Sequence, residues 1–152
     1  MEVVIRSAND SDAQAAFKLI AELGYPDLSF ARFTQTFRSV LENPAMMTLI
    51  AEVNGDVVGL ATVSFRPQLR LTADLFSIDE FVIADRVRGQ GVGRRFLEHL
   101  KGVAKQAGAF RLELETNRAR ASYRRGFYVK NGFLEADSAV MRIDYDLAED
   151  KS

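Results

Sequence analysis

Ile83-Ala84-Asp85-Arg86-Val87-Arg88-Gly89-Gln90-Gly91-Val92-Gly93 joins an apolar run to the strongest helical pattern in the chain. Upstream, Leu75 to Ala84 reads as a buried strand. Downstream, Val92, Phe96, Leu100, Val103 and Ala107 recur at helical spacing over Gly91 to Ala107, and Gly108 closes that helix. A glycine-rich turn between strand and helix puts unpaired N–H groups at the positive end of a helix dipole. Glycines let an anion approach those groups closely, and Arg88, Arg94 and Arg95 add charge where a pyrophosphate would lie.

Working outward towards the N-terminus, Val57 to Phe65 and Met47 to Val53 are apolar runs separated by Asn54-Gly55. That is the strongest short hairpin signal in the sequence. Phe30, Phe33, Phe37 and Leu41 mark one face of a helix over 29–42, stopped by Asn43-Pro44. Ala13, Phe17, Ile20 and Leu23 give another helix its apolar stripe, with Asn9 or Ser11 as cap and Asp12 in the first turn. Val3 to Arg6 opens the chain as a short strand. Towards the C-terminus, Phe110 to Glu115 alternates as a strand, Tyr123 to Lys130 is a short helix, and Phe133 and Ala139 to Tyr145 supply the last strand or strands. The order predicts an α/β (α+β) domain with a mixed sheet covered by helices. One domain over 1–148 is expected, with 149–152 as a frayed tail.

Composition narrows the function. Of 152 residues, 47% are apolar and 27% charged, enough for one packed core. The net charge of −1 gives no bulk field to hold nucleic acid or an anionic membrane. No cysteine is present, which removes disulfides, thiolate nucleophiles and thiolate metal sites. The first residues are no signal peptide and no stretch reaches the roughly 18 apolar residues of a membrane span, so a cytoplasmic location is expected. His99, the single histidine, lies beside the apolar stripe of its helix, and the reading is structural, with no metal.

The glycine loop is neither of two familiar phosphate loops. A Walker loop needs Gly-Lys-Ser/Thr, which is missing. A dinucleotide fingerprint needs a third glycine where Arg94 or Phe96 stands. The stretch instead resembles the signature of the GNAT superfamily of N-acetyltransferases: an apolar strand, then Arg/Gln-x-x-Gly-x-Gly/Ala opening a helix. Gly126-Phe127-Tyr128-Val129-Lys130-Asn131-Gly132-Phe133 is similar to that family's aromatic-Tyr-x-x-x-Gly-Phe segment, and the opening from Ile5-Arg6 to Gly24-Tyr25 is a weaker match.

The resemblance implies a mixed, mostly antiparallel twisted sheet of about six or seven strands flanked by about four helices, with acetyl-CoA as co-substrate and direct transfer of its acetyl group to a primary amine of a small molecule or peptide. It assigns the pyrophosphate to Arg88, Gly89, Gln90, Gly91, Val92, Gly93 and Arg94. It assigns the pantetheine arm to backbone groups of Phe81, Val82 and Ile83, with Asn117 as a further contact. It makes Tyr128 the acid that protonates the leaving thiolate. Relatives carry Asn or Arg seven residues before that tyrosine, where this chain has Ala121. An amine with pKa near 10.4 is neutral in only about one molecule in 2,500 at pH 7, a cost of roughly 4.6 kcal/mol, so a general base is required. Several relatives place an acid on the strand before the loop, where Asp79 and Glu80 stand. Alternation puts them on opposite faces, so one can serve, with Glu80 favoured. Substrate-lining segments are expected at 24–27, 66–73 and 135–138. The resemblance also implies a homodimer. Two rivals stand beside this reading: a non-catalytic acyl-CoA sensor, and a nucleic-acid binder built on Arg118, Arg120, Arg124, Arg125 and Lys130 with nearby aromatics.

Overall fold

A computed structural model describes residues 1–147, so the expected frayed end at 149–152 lies outside the described residues. Contacts group the chain into two compact units, Met1–Asn117 and the residues from Arg118 onward.

The first unit holds all five strands among the described residues: β1 (Val3–Ser7), β2 (Met46–Val53), β3 (Asp56–Gln68), β4 (Ala73–Ile83) and β5 (Arg111–Leu114). They lie side by side in chain order, antiparallel except for β4 with β5, which run parallel. A parallel neighbour needs a crossover, and α3 (Val92–Gln106) supplies it. The Asn54-Gly55 hairpin forms as expected. Both residues take positive φ (53° and 80°), the backbone that a two-residue turn between twisted strands requires.

Two helices, α1 (Ala13–Leu23) and α2 (Phe30–Glu42), precede β2. Phe17 of α1 packs edge-on against Phe30 and Phe33 of α2, and Phe33 stacks on Phe37. A Cβ added at Gly59 would meet Ala51, Ile83 and Phe96 at 3.0–3.3 Å. These residues therefore share the sheet face that α3 covers, together with Phe81, whose ring lies 5.5 Å from that of Phe96. Alternation places Ile50, Leu60 and Val82 on the other face, and Thr48, Thr62 and Glu80 with them. There α1 packs on β3 and β4, and α2 on β2.

The N-terminus is stapled by charge. Arg6 on β1 donates to both carboxylate oxygens of Asp12 at 2.8 Å and to Glu52 on β2 at 2.6 Å. Asp12 also accepts the N–H of Asn9 at 2.9 Å, while the Asn9 side chain accepts from the N–H of Ser11 at 3.0 Å. This reciprocal cap starts the helix where the sequence places it.

The second unit holds two one-turn helices, α4 (Ala121–Arg124) and α5 (Phe127–Lys130), divided at Gly126 with φ 72°. The single helix expected over 123–130 is thus two. The sheet is also smaller than expected, with five strands against six or seven. Phe133 and residues 139–145 keep a strand's alternation of side chains but have no strand partner among the described residues, and a strand exists only through its ladder.

Candidate active site

The glycine loop closes onto α3 through backbone geometry that only glycine adopts readily. Gly89 and Gly91 have φ of 79° and 85°, and a Cβ at either would meet nothing within 4 Å. Space in front of the loop is open, so these glycines answer to backbone conformation and to access from outside. Gly91 caps α3, and with no side chain of its own it leaves the helix's first N–H groups without a side-chain cap among the described residues. An open depression beside them is lined by Gln90, Gly91, Arg94, Arg95 and Glu98. Arg88 is held at the loop's base, 2.5 Å from Asp85 and donating to the Ile83 carbonyl at 3.2 Å. Arg95 donates to the Met1 carbonyl at 2.6 Å. Arg94 is exposed on the depression. His99, expected to be structural, is exposed on α3.

Strand β4 meets β5 only across Leu75–Ile78. Beyond Ile78, β5 no longer flanks it. On its other edge β4 follows β3 as far as Ile83, and the N–H of Ala84 donates to Val58 at 2.8 Å. Alternation then turns the main-chain groups of Val82 towards β3. It turns those of Phe81 and Ile83 towards the edge that β5 has left, where the Ile83 carbonyl takes Arg88.

Between those two stretches the ladder skips a residue. Glu80 pairs with Thr62 and Ile78 with Val63, so Asp79 is the extra residue of a bulge. Asp79 is exposed and accepts from the Ser77 hydroxyl at 3.0 Å. Glu80 turns inward onto the α1 face. The Thr62 hydroxyl donates to Glu80 Oε2 and accepts the Glu80 N–H at 3.0 Å. Burial pushes the Glu80 carboxyl up to about 7, and the charge of Asp79 pushes the same way. Next along the row, the Thr48 hydroxyl is buried with no hydrogen-bond partner among the described residues. Thr62 escaped the sequence reading, because its place opposite Glu80 depends on the register beyond the bulge.

In the second unit, Tyr128 is partly buried on α5. Its ring lies edge-on to Phe127 at 5.1 Å and to Phe133 at 6.0 Å. Burial raises its phenol above the usual value, while the charges of Arg120 and Arg125 pull it back. The arginine run is engaged within its own unit: Arg118 and the Tyr123 hydroxyl both donate to Glu135, at 3.2 and 3.0 Å, and Arg125 lies over the Phe127 ring at 5.6 Å. Those contacts occupy part of the surface that a nucleic-acid binder would use. Asn117, the last residue of the first unit, is exposed. Of the segments expected to line a substrate pocket, 66–73 is the tip of the β3–β4 hairpin and 24–27 is the α1–α2 connection.

A sequence model of the Acetyltransferase (GNAT) family matches residues 13–133. The chain belongs to that family. It is an N-acetyltransferase. It is 31% identical over 132 residues to the aminoalkylphosphonate N-acetyltransferase of Salmonella typhimurium, covering 87% of this chain and 85% of that protein. A solved structure titled a transcriptional regulator from Bacillus halodurans shares its fold at TM-score 0.85 and 22% identity, over 95% of this chain and all of that one. The aminoglycoside N-acetyltransferase AAC(6')-Iy, solved in complex with CoA, shares it at TM-score 0.80 and 15% identity, over 94% and 95% of the two chains. At those identities the likeness is one of fold.

The GNAT family uses acetyl-CoA. Among the described residues of this acetyltransferase, no cluster of three or more His, Cys, Asp or Glu side chains is arranged to hold a metal, and no helix is long and apolar enough to cross a membrane.

Proposed function

We propose that residues 1–148 act as one acetyltransferase domain that moves the acetyl group of acetyl-CoA directly to the primary amine of a small molecule. The family match runs from 13 to 133, across both compact units. The loop fits the co-substrate's pyrophosphate. Its N–H groups carry no side-chain cap, its two positive-φ glycines face open space, and Arg94 lies alongside. Main-chain groups of Phe81 and Ile83, on the edge that β5 has left, suit a pantetheine arm added like a strand, with Asn117 as a further contact. Once bound, acetyl-CoA supplies an activated thioester carbonyl.

The chain's own residues then handle two protons. Glu80 takes one from the incoming ammonium. The observation that carries this reading is a half-buried carboxyl on β4, held by one threonine hydroxyl and raised to about 7. Such a carboxylate is a better proton acceptor than an ordinary one at 4.5 by about 3 kcal/mol. Taking the proton from an amine at 10.4 then costs roughly 4.6 kcal/mol, against roughly 8 kcal/mol for an ordinary carboxylate. Asp79, exposed on the bulge, lacks that environment. Tyr128 gives the other proton to the departing thiolate, a role its phenol suits because burial keeps it protonated at neutral pH.

The named substrate of the Salmonella relative makes small amines that carry an anionic group the first acceptor class to try. The test is release of free thiol from acetyl-CoA across aminoalkylphosphonates, amino acids, polyamines and short peptides. Turnover on one class, slowed about 100-fold in Tyr128→Phe, is expected. Tight acetyl-CoA binding with no turnover on any class would favour the sensor reading. An unaltered rate in Tyr128→Phe would remove the tyrosine from the chemistry. The working assembly is a homodimer.

A further inference from the structure

The bulge at Asp79 changes which side chains share a face. Strict alternation would turn Asp79 away from Glu80. A bulge instead sets two residues of one strand against a single residue of its partner, and the extra residue here, Asp79, falls beside Glu80. The Ser77 hydroxyl, two residues back, donates to Asp79 Oδ1 at 3.0 Å, so Ser77, Asp79 and Glu80 lie together on the α1 face. Two carboxylates thus adjoin, and no Lys or Arg of the described residues pairs with either. Ser77 occupies one oxygen of Asp79, and Thr62 occupies one oxygen of Glu80. The second oxygen of each has no hydrogen-bond partner among the described residues.

The same row carries another unmet group. Thr48 on β2 lies directly opposite Thr62 on β3, and Thr62 opposite Glu80 on β4, so three polar side chains cross three strands in line. Thr48 is 6% exposed, and its hydroxyl has no hydrogen-bond partner among the described residues. A buried hydroxyl left in that state costs stability, so its presence calls for an occupant that completes it. The Thr62 hydroxyl proton is already given to Glu80. One row further out on the same face, Met46, Ser64 and Ser77 are half-buried, so Thr48 lies one step inside ground that solvent reaches. Side chains directly opposed across strands stand about 5 Å apart at Cβ. The Glu80 carboxylate reaches back to Thr62, so its unpartnered oxygen and Thr48 Oγ1 are separated by roughly that spacing.

We propose that Asp79 and Thr48 bracket the acceptor on either side of Glu80. The Asp79 carboxylate holds the ammonium from the outer side while Glu80 meets one of its N–H groups. The Thr48 hydroxyl donates to an oxygen of the same molecule from the inner side. An ammonium has three donors and no acceptor, which suits two neighbouring carboxylate oxygens. When one N–H bond breaks, the proton goes to Glu80 and the electron pair stays on nitrogen. Asp79 keeps a second N–H and so fixes the direction of that pair. The class selected is a short aliphatic amine whose carboxylate, phosphonate or hydroxyl oxygen lies roughly 5 Å from its nitrogen. The bracket rests on the proposal that the amine meets Glu80. Its test reads binding, so a failure of Glu80 as base and a failure of the bracket give different results.

Calorimetry on the full chain loaded with CoA, which carries no acetyl group to transfer, gives dissociation constants for aminoethylphosphonate, β-alanine, aminopropanol and n-butylamine. In the unaltered protein the three oxygen-bearing amines should bind about 3- to 10-fold tighter than n-butylamine, the worth of one hydrogen bond. Asp79→Asn should weaken all of them about 10- to 100-fold, the worth of a hydrogen bond to a charge. Thr48→Val keeps the side-chain shape. It should abolish the preference over n-butylamine and leave n-butylamine itself unchanged, while Thr48→Ser keeps the preference. No binding of any of these amines to the unaltered protein overturns the bracket. So does an Asp79→Asn protein that binds n-butylamine as before, or a Thr48→Val protein that keeps the preference. A Glu80→Gln enzyme that turns over at the unaltered rate, with this binding pattern intact, removes Glu80 as the base and leaves the bracket standing.

Discussion

Two carboxylates turn inward in the first unit, and the fold treats them in opposite ways. Asp12 is 4% exposed, yet it is saturated: Arg6 grips both of its oxygens and the Asn9 N–H supplies a further bond. These contacts hold its carboxyl below the usual range in spite of burial. Glu80 receives one threonine hydroxyl and the repulsion of Asp79, and is pushed up. Desolvation acts on both. The difference is the cation, because an opposite charge at hydrogen-bond distance outweighs burial and a lone hydroxyl does not. A carboxylate held by arginine is an anchor that stays ionised. One left without a cation can exchange a proton near neutrality, and the fold supports it at a cost in stability.

The largest expected effect separates the two by activity. Glu80→Gln keeps the size and the hydrogen bond from Thr62 but removes the proton acceptor, and should lower kcat/KM by about 100- to 10,000-fold. Steady-state kinetics on the amine that turns over checks it. Asp12→Ala should act on stability instead, by about 3 kcal/mol, because it leaves Arg6 half-paired and uncaps the Asn9 turn. Chemical denaturation measures that loss. Asp12's carboxyl is depressed in the folded state, so its contribution is present above the unfolded value of 3.8 and fades as pH falls through the lower folded value.

Glu80 runs the other way in stability. Its folded value lies above its unfolded one, so stability declines as pH rises from 4.5 to about 7. Glu80→Gln should therefore be more stable than the unaltered chain at pH 8 by about 2–3 kcal/mol, and nearly equal at pH 4, as read from paired denaturation curves. A smaller effect isolates the threonine. Thr62→Val removes the hydroxyl that favours ionised Glu80, so the acid limb of kcat/KM should move up by roughly 0.5–1 pH unit. Thr62→Ser should hold it in place. A Thr62→Val enzyme that is slower with an unmoved limb would make Thr62 a packing residue.

What could be read in advance follows from how local each signal is. The Asn54-Gly55 turn and the span of α3 depend on neighbours a few residues away, and both appear within a residue of the expected bounds, although Leu97 and Ala104 are buried where the expected stripe had Val103 and Ala107. Alternation set Asp79 and Glu80 on opposite faces without deciding which of them turns inward. The bulge at Asp79 and the Thr62 partner arise from the register of β3 on β4, 18 residues apart in sequence. The arginine-rich stretch after Asn117 gave no hint that Glu135 gathers Arg118 and Tyr123. The alternation at 139–145 was legible, but no strand forms there among the described residues, because a pattern specifies a face and supplies no ladder partner.

The most direct test of the account is the pH dependence of kcat/KM for the unaltered enzyme and Glu80→Gln with the same amine. In the unaltered enzyme, activity should rise through a limb near 7 as Glu80 loses its proton. In Glu80→Gln that limb should vanish, leaving only the titration of the amine itself. The same limb at the same pH in both proteins would contradict Glu80 as the base, and the reading of β4 as the strand that carries the chemistry would fall with it.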